Sequence, residues 1–286
     1  MPGRAEKGAS INFLFWNIAR KRLETDIARL VREHHIDLIV LCECTVPVGA
    51  LLRALGQVAA PFNRSERVLP DSGLEILIRY PAEFLKKCHD SIGMTAKKLC
   101  LPAAEEILLT VMHLPSRLHW STDAQAAECH RVAGVLRAIE ERIGHRRTVL
   151  VGDFNVNPFA SGMTSPYAFR GVSTTAIAKR GEGIVRGESW PFFYNPMWSC
   201  LGDRSPGPPG TYFNDTGTAD CLFWYTLDQV LLRPELLDRY PLSSIRILDS
   251  IEGTSLLKAN SGIPDRKRFS DHLPLLFSLD VTPNGG

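Results

Sequence analysis

Residues 148–158 read TVLVGDFNVNP, and the fold and chemistry of the chain turn on them. Thr148 to Val151 is a short aliphatic, β-branched run of the kind that forms a buried strand. Gly152 closes it, and Asp153 and Asn155 follow in a turn. Such a turn is common on its own, because Asp and Asn bond their own backbone there. Its company gives it weight, since other polar residues stand at the ends of strand-like runs in the same way. Asn17 follows INFLFW, Glu43 follows DLIVLC, and His113 ends EILLTVM. Asp228 opens QVLL, and Asp271 and His272 stand just before LPLLFSL. Sheet scaffolds present reactive groups at strand ends in this manner.

Outward from that stretch, the periodicity predicts strands at Ile11–Trp16, Ile36–Leu41, Leu74–Ile78, Ile107–Met112, Asp228–Leu232, Ile245–Leu248 and Leu275–Leu279. Helices are predicted over Thr25–His35 and Ser121–Ile143, the second with a Val132, Val135, Leu136, Ile139 stripe and Gly144 as its stop. After residue 152 the connections are long and rich in Gly and Pro, as in SCLGDRSPGPPG at 199–210. No repeat or linker divides the chain, so one α/β domain over 11–281 is expected, with 1–10 and 282–286 as frayed tails. Many short strands with few helices point to packed sheets covered by helices.

Composition narrows the function only by exclusion. With 286 residues, 44% hydrophobic and 22% charged, the chain has the make-up of a globular protein. Lys and Arg number 33 against 31 Asp and Glu, a formal charge of +2, so the bulk charge demands no polyanionic partner. Seven cysteines, odd in number and never spaced as CxxC, argue against a disulfide framework or a zinc cluster. No run reaches the roughly 20 apolar residues of a membrane helix, and Met1–Ser10 lacks a signal-like apolar core. The expectation is a cytoplasmic protein with no stable membrane insertion; nothing in the sequence bears on oligomeric state.

Cleaving a phosphate ester requires a hard cation, a base for water and donors for the phosphoryl oxygens. The strand-end residues contain all three. Glu43, a second acid such as Asp271 and Asn17 suit magnesium, which takes few carboxylates and keeps waters. Asp153 suits a base, Asn155 an orienting group, and His272 beside Asp228 an imidazolium. His113 suits a phosphate contact. Arg266, Lys267 and Arg268 are read as substrate-phosphate contacts or, equally, as a solvated basic loop. Trp190, Phe192, Phe193, Tyr194 and Trp198 are expected to pack on the core, and His34, His35, His89, His119, His130 and His145 to be surface or packing residues.

The strings WNI (16–18), LCE (41–43), MHLPS (112–116), GDFNVNP (152–158), GTYF (210–213), LDQVLL (227–232) and SDHLPL (270–275) resemble, in order, the motifs of the endonuclease/exonuclease/phosphatase superfamily, with its DNase I-like fold. The resemblance implies a four-layered α/β sandwich, two packed and mainly antiparallel sheets flanked by helices. It further implies a Mg2+- or Mn2+-dependent hydrolase. Asn17, Glu43 and Asp271 match metal-site positions, Asp153 and Asn155 the water-activating and phosphate-orienting pair, and Asp228 and His272 a coupled pair. His113 falls where the DNase I, deadenylase and sphingomyelinase-type branches carry histidine and the abasic-site repair branch carries tyrosine. Two departures stand out: Cys42 precedes Glu43 where many members have glutamine, and 161–198 matches no motif. The expected function is a nuclease, with DNA as partner and endonucleolytic action. The alternatives are a phosphatase or phosphodiesterase on a phosphoinositide, sphingomyelin or nucleotide, and a binding module of the same fold without turnover.

Overall fold

The computed structural model describes residues 10–59, 61–66, 69, 73–116, 120–216 and 221–281. Residues 1–9 and 282–286 of the expected tails, and His119, lie outside the described residues; Ser10 already belongs to the first strand. In chain order, β1 (Ser10–Asn17), α1 (Glu24–His34), β2 (Leu38–Cys42), α2 (Val48–Gly56), β3 (Asn63–Arg64) and β4 (Glu75–Ile78) form the first half. They are followed by β5 (Leu85–Ser91), β6 (Met94–Leu99), β7 (Ile107–His113), α3 (Thr122–Ile143) and β8 (Thr148–Asp153).

Two sheets carry the architecture. A six-stranded sheet runs Arg246–Ile247, Leu275–Asp280, β1, β2, β4, β3. A seven-stranded sheet runs β5, β6, β7, β8, Asp228–Leu232, Phe193–Tyr194, Gly171–Val172. Both are antiparallel for the most part, with β1–β2 parallel in one and β7–β8 and the 171–172/193–194 pair parallel in the other.

The pleat explains the layers. On β8, Val149 and Val151 point into a large cluster with Phe13, Phe15, Val40 and Phe277, while Leu150 points the opposite way, toward Met112, Val132 and Leu136. The first cluster fills the space between the sheets and continues to Ile27, Leu30 and Val31 of α1 and Leu51 and Leu55 of α2. The second lies between the seven-stranded sheet and α3. The order of layers is therefore α1 and α2, sheet, sheet, α3.

The helix over 121–143 appears as expected, with Ser121 accepting from the Ala124 amide at 3.2 Å and Gly144 closing it at φ 78°. Its packing includes one buried ion pair: Glu140 accepts from Arg233 at 2.9 and 2.8 Å and from the Thr148 hydroxyl at 2.7 Å. The β5–β6 hairpin and α2 have no counterpart in the expected elements. The hairpin reads LKKCHDS–MTAKKL, whose lysines hide the alternation; Lys97 is in fact fully buried, with Nζ 2.9 Å from the Glu66 carbonyl oxygen. All seven cysteines are free thiols. Among the described residues no helix is long and apolar enough to cross a membrane.

Candidate active site

Strand register assembles the centre of the site. In the seven-stranded sheet Asp153 lies opposite His113 on one side and opposite Asp228 on the other, so three strands deliver three polar residues abreast. In the six-stranded sheet Asn17 ends β1 beside Cys42, and Glu43 follows immediately. The two sheets meet where the Asn17 amide donates to Asp153 Oδ2 at 3.0 Å and reaches Glu43 Oε1 at 3.5 Å.

Asp153 is 1% exposed and committed on both oxygens: Oδ1 accepts from the Asn155 backbone N–H at 2.9 Å, Oδ2 from Asn17. Asn155 takes φ 52°, the left-handed conformation that Asn tolerates, and its side-chain N–H donates to the Leu114 carbonyl at 2.7 Å. The Asx turn expected at this position and a site carboxylate coexist in one residue.

His272 faces Asp153 with Nε2 at 4.0 Å and bonds Asp228 Oδ2 through Nδ1 at 2.8 Å. Both partners are buried. Burial alone lowers the imidazole pKa, but the charge and hydrogen bond of Asp228, with Asp153 and Asp271 nearby, outweigh it and push it up to about 10. Burial raises the Asp228 carboxyl, opposed by the His272 cation.

Residues that sequence reasoning did not single out hold this pair. The Thr211 hydroxyl oxygen accepts from the Leu227 and Asp228 amides, each at 3.1 Å. The Tyr212 ring lies 4.8 Å from that of His272. Ser270 donates to the Asn17 carbonyl at 2.6 Å and accepts from the His272 amide at 3.1 Å, while the Trp16 indole donates to the His272 carbonyl at 2.9 Å. Thr211 and Tyr212 sit inside GTYF, so the motif string was the available signal; Ser270 sits inside SDHLPL.

Glu43 stands at the open edge at φ 49°, with Arg20 Nε 3.6 Å and His113 Nε2 3.8 Å from its carboxylate. Asp271 faces a cavity of about 60 Å³ shared with Lys258 and Arg266. The basic triplet divides: Arg266 lines that cavity, Arg268 lies over the Phe269 ring at 5.0 Å, and the Lys267 amide donates to Asp265 at 3.3 Å. Of the aromatics expected to pack on the core, Phe192, Phe193 and Tyr194 are buried and Trp190 and Trp198 half-buried.

Among the described residues, Asp153, Asp228 and His272 form the one acid–histidine group with potential ligand atoms within 4.8 Å of one another. An imidazole bonded to Asp228 and charged is a poor ligand, since metals bind the neutral ring. The better fit for a hard cation lies one step outward. There the Glu43 carboxylate and the Asn17 side chain lie together beside Asp153, and oxygen donors of this type suit Mg2+ or Mn2+.

The endonuclease/exonuclease/phosphatase family model matches residues 14–272. No curated protein matches the chain. Solved structures with the same fold include the endonuclease domain of TRAS1, a telomere-specific non-LTR retrotransposon (13% identity, TM-score 0.52, 96% of this chain and 100% of that one). The human Nocturnin catalytic domain is similar at 16% identity and TM-score 0.55, over 96% and 95% of the two chains. ANGEL2, a 2',3'-cyclic phosphatase, is similar at 13% identity and TM-score 0.57, over 96% of both.

Proposed function

The chain belongs to the endonuclease/exonuclease/phosphatase family, and from that membership we propose that it is a divalent-metal-dependent phosphodiesterase acting on nucleic acid, with DNA as the expected substrate and endonucleolytic action as the expected mode. The observation that carries this reading is the setting of Asp153, a buried carboxylate held between the Asn17 amide at 3.0 Å and His272 Nε2 at 4.0 Å. A carboxylate fixed in this way is placed to take the proton of an attacking water.

Asn155 orients the phosphoryl group beside it. His272, kept charged by Asp228, places its Nε2 proton toward the phosphoryl oxygens as negative charge gathers there. His113 and Arg266 hold phosphate oxygens, and Lys267 and Arg268 add longer-range attraction for the backbone. Asn17, Glu43 and Asp271 are the residues that would hold Mg2+ or Mn2+. The cation, when bound, neutralises developing charge and acts as a Lewis acid. Two observations favour nucleic acid: the TRAS1 domain of the same fold is an endonuclease, and Lys21, bonded to the Arg266 carbonyl at 2.9 Å, adds a cation beside the acidic centre.

Nicking of supercoiled plasmid with Mg2+ tests the reading. Asp153→Asn and His272→Ala are each expected to lower the rate on the order of 10²–10⁴-fold, and chelation of the metal to abolish it. Metal-dependent nicking at the wild-type rate in both variants would overturn the assignment.

A further inference from the structure

A two-stranded hairpin, Tyr212–Asn214 with Phe223–Tyr225, belongs to neither large sheet and stands against the catalytic cluster. Tyr212 anchors it, bridging to His272 through the backbone as well as through the ring contact. Beyond that anchor the hairpin carries three clustered aromatics: Phe213 lies 5.3 Å from Trp224 and 6.3 Å from Phe223, centroid to centroid. Phe223 is 54% exposed, as is its neighbour Leu222. Phe223 also takes φ 61°, a conformation that bulky side chains seldom adopt. The fold thus holds a large apolar ring in water, in strained backbone, on a hairpin whose other strand touches His272, a combination associated with binding sites.

The hairpin's inner residue shows what would lie against it. Phe213 lines the small cavity with Asp215, Lys258, Arg266 and Asp271, so the aromatic shelf rises from the wall of the candidate active site. We propose that the shelf of Phe213, Phe223 and Trp224 binds an unpaired nucleobase next to the scissile phosphate, and that the cavity below it takes the polar edge of that nucleotide. This inference rests on the phosphodiesterase reading above and names its substrate class more closely.

Three features select that occupant. Aromatic side chains stack on any base, because every base has a π-face, and a base must be out of its duplex to offer one. The cavity presents the Asp215 carboxylate and the Lys258 and Arg266 cations beside Ile263 and Pro264, matching the mixed polar and apolar edge of a base. The cavity is small, about 60 Å³. An apolar patch of two exposed side chains, Leu222 and Phe223, is narrow for insertion into a bilayer.

The test is equilibrium binding of a fluorescein-labelled single-stranded oligonucleotide and of an abasic oligomer with the same phosphate backbone, both in Ca2+ to suppress turnover. Wild type is expected to bind the base-bearing strand more tightly, by roughly 5- to 150-fold, the span that stacking on one aromatic supplies. Phe223→Ala should erase that preference, Phe223→Trp should keep it, and neither should alter abasic binding; matched circular dichroism and melting establish that both variants fold. Equal affinity of wild type for the two strands, or a preference that survives Phe223→Ala, overturns the proposal. Phe223-dependent sedimentation with phosphatidylserine vesicles overturns it in favour of a lipid. Because no turnover is read, failure of hydrolysis leaves a base preference visible, and hydrolysis without base preference defeats the shelf alone.

Discussion

At His272 two opposing effects meet, and their balance is measurable. Burial favours the neutral ring, whereas the carboxylate of Asp228 at 2.8 Å favours the cation. NMR titration of the metal-free protein is expected to place the His272 pKa near 10, far above the usual value near 6.5. In Asp228→Asn burial remains while the main compensating charge is gone, so the pKa should fall; an unchanged value would contradict the coupling. The sign for stability follows. A raised histidine pKa contributes fully below the unfolded value near 6.5, and the contribution is lost as pH climbs through about 10. At this scale the sequence was informative where polar residues flank strand ends, as with Asp153, Glu43 and His272. It was silent on the residues that brace them. Thr211 acts through amides 16 and 17 residues away, and Trp16 through a carbonyl 256 residues away, separations that leave no local pattern.

Among the elements, the pairing of β7 with β8 is the most constrained. It is parallel and in register from Leu108–Thr148 to His113–Asp153, and at Gly152 an added methyl would land on the Met112 carbonyl oxygen. Gly152→Ala must therefore push β7 and β8 apart next to both His113 and Asp153. It is expected to cost at least about 1–3 kcal/mol in urea unfolding, the usual range for overpacking, and to depress plasmid nicking more than stability alone accounts for. Unfolding and nicking indistinguishable from wild type would show that the strands yield without consequence. Helix α3 was readable because a 3.6-residue stripe and a terminal glycine agree. Helix α2, nine residues apolar but for Arg53, and the lysine-bearing β5–β6 hairpin offered no such agreement, and there tertiary packing decided the structure.

For the whole molecule, the layers were legible from the mixture of strands and helices, but the strand order was not. Order is set by contacts such as Phe13 on Phe277, stacked at 4.7 Å, which no window of sequence contains. The joint between the sheets is where the bound cation should register globally. Asn17 and Glu43 come from one sheet, and the Asn17 side chain is held by Asp153 of the other, so an ion held by Asn17 and Glu43 binds only the folded, assembled pair. Mg2+ at about 100 times its dissociation constant is expected to stabilise the protein by about 2.7 kcal/mol, raising the melting temperature, and Glu43→Ala should remove most of that rise. A melting temperature indifferent to Mg2+ in wild type would remove the metal from this location.

The pairing of β1 with Leu275–Asp280 has a kinetic consequence. The two strands match over six residues, from Ser10–Asp280 to Phe15–Leu275, and β1 lies between β2 and this last strand. During synthesis β1 emerges well before its partner and waits, with one edge unpaired, until Leu275–Asp280 has also left the ribosome. Closing so long a loop makes folding slow and late, and the waiting edge is open to pairing with other chains. Nascent chains arrested before Leu275 should be cut readily by protease and need a chaperone's cover, while release past Asp280 should bring resistance in one cooperative step. Early resistance, with the last strand still inside the ribosome, would mean that the six-stranded sheet assembles without it.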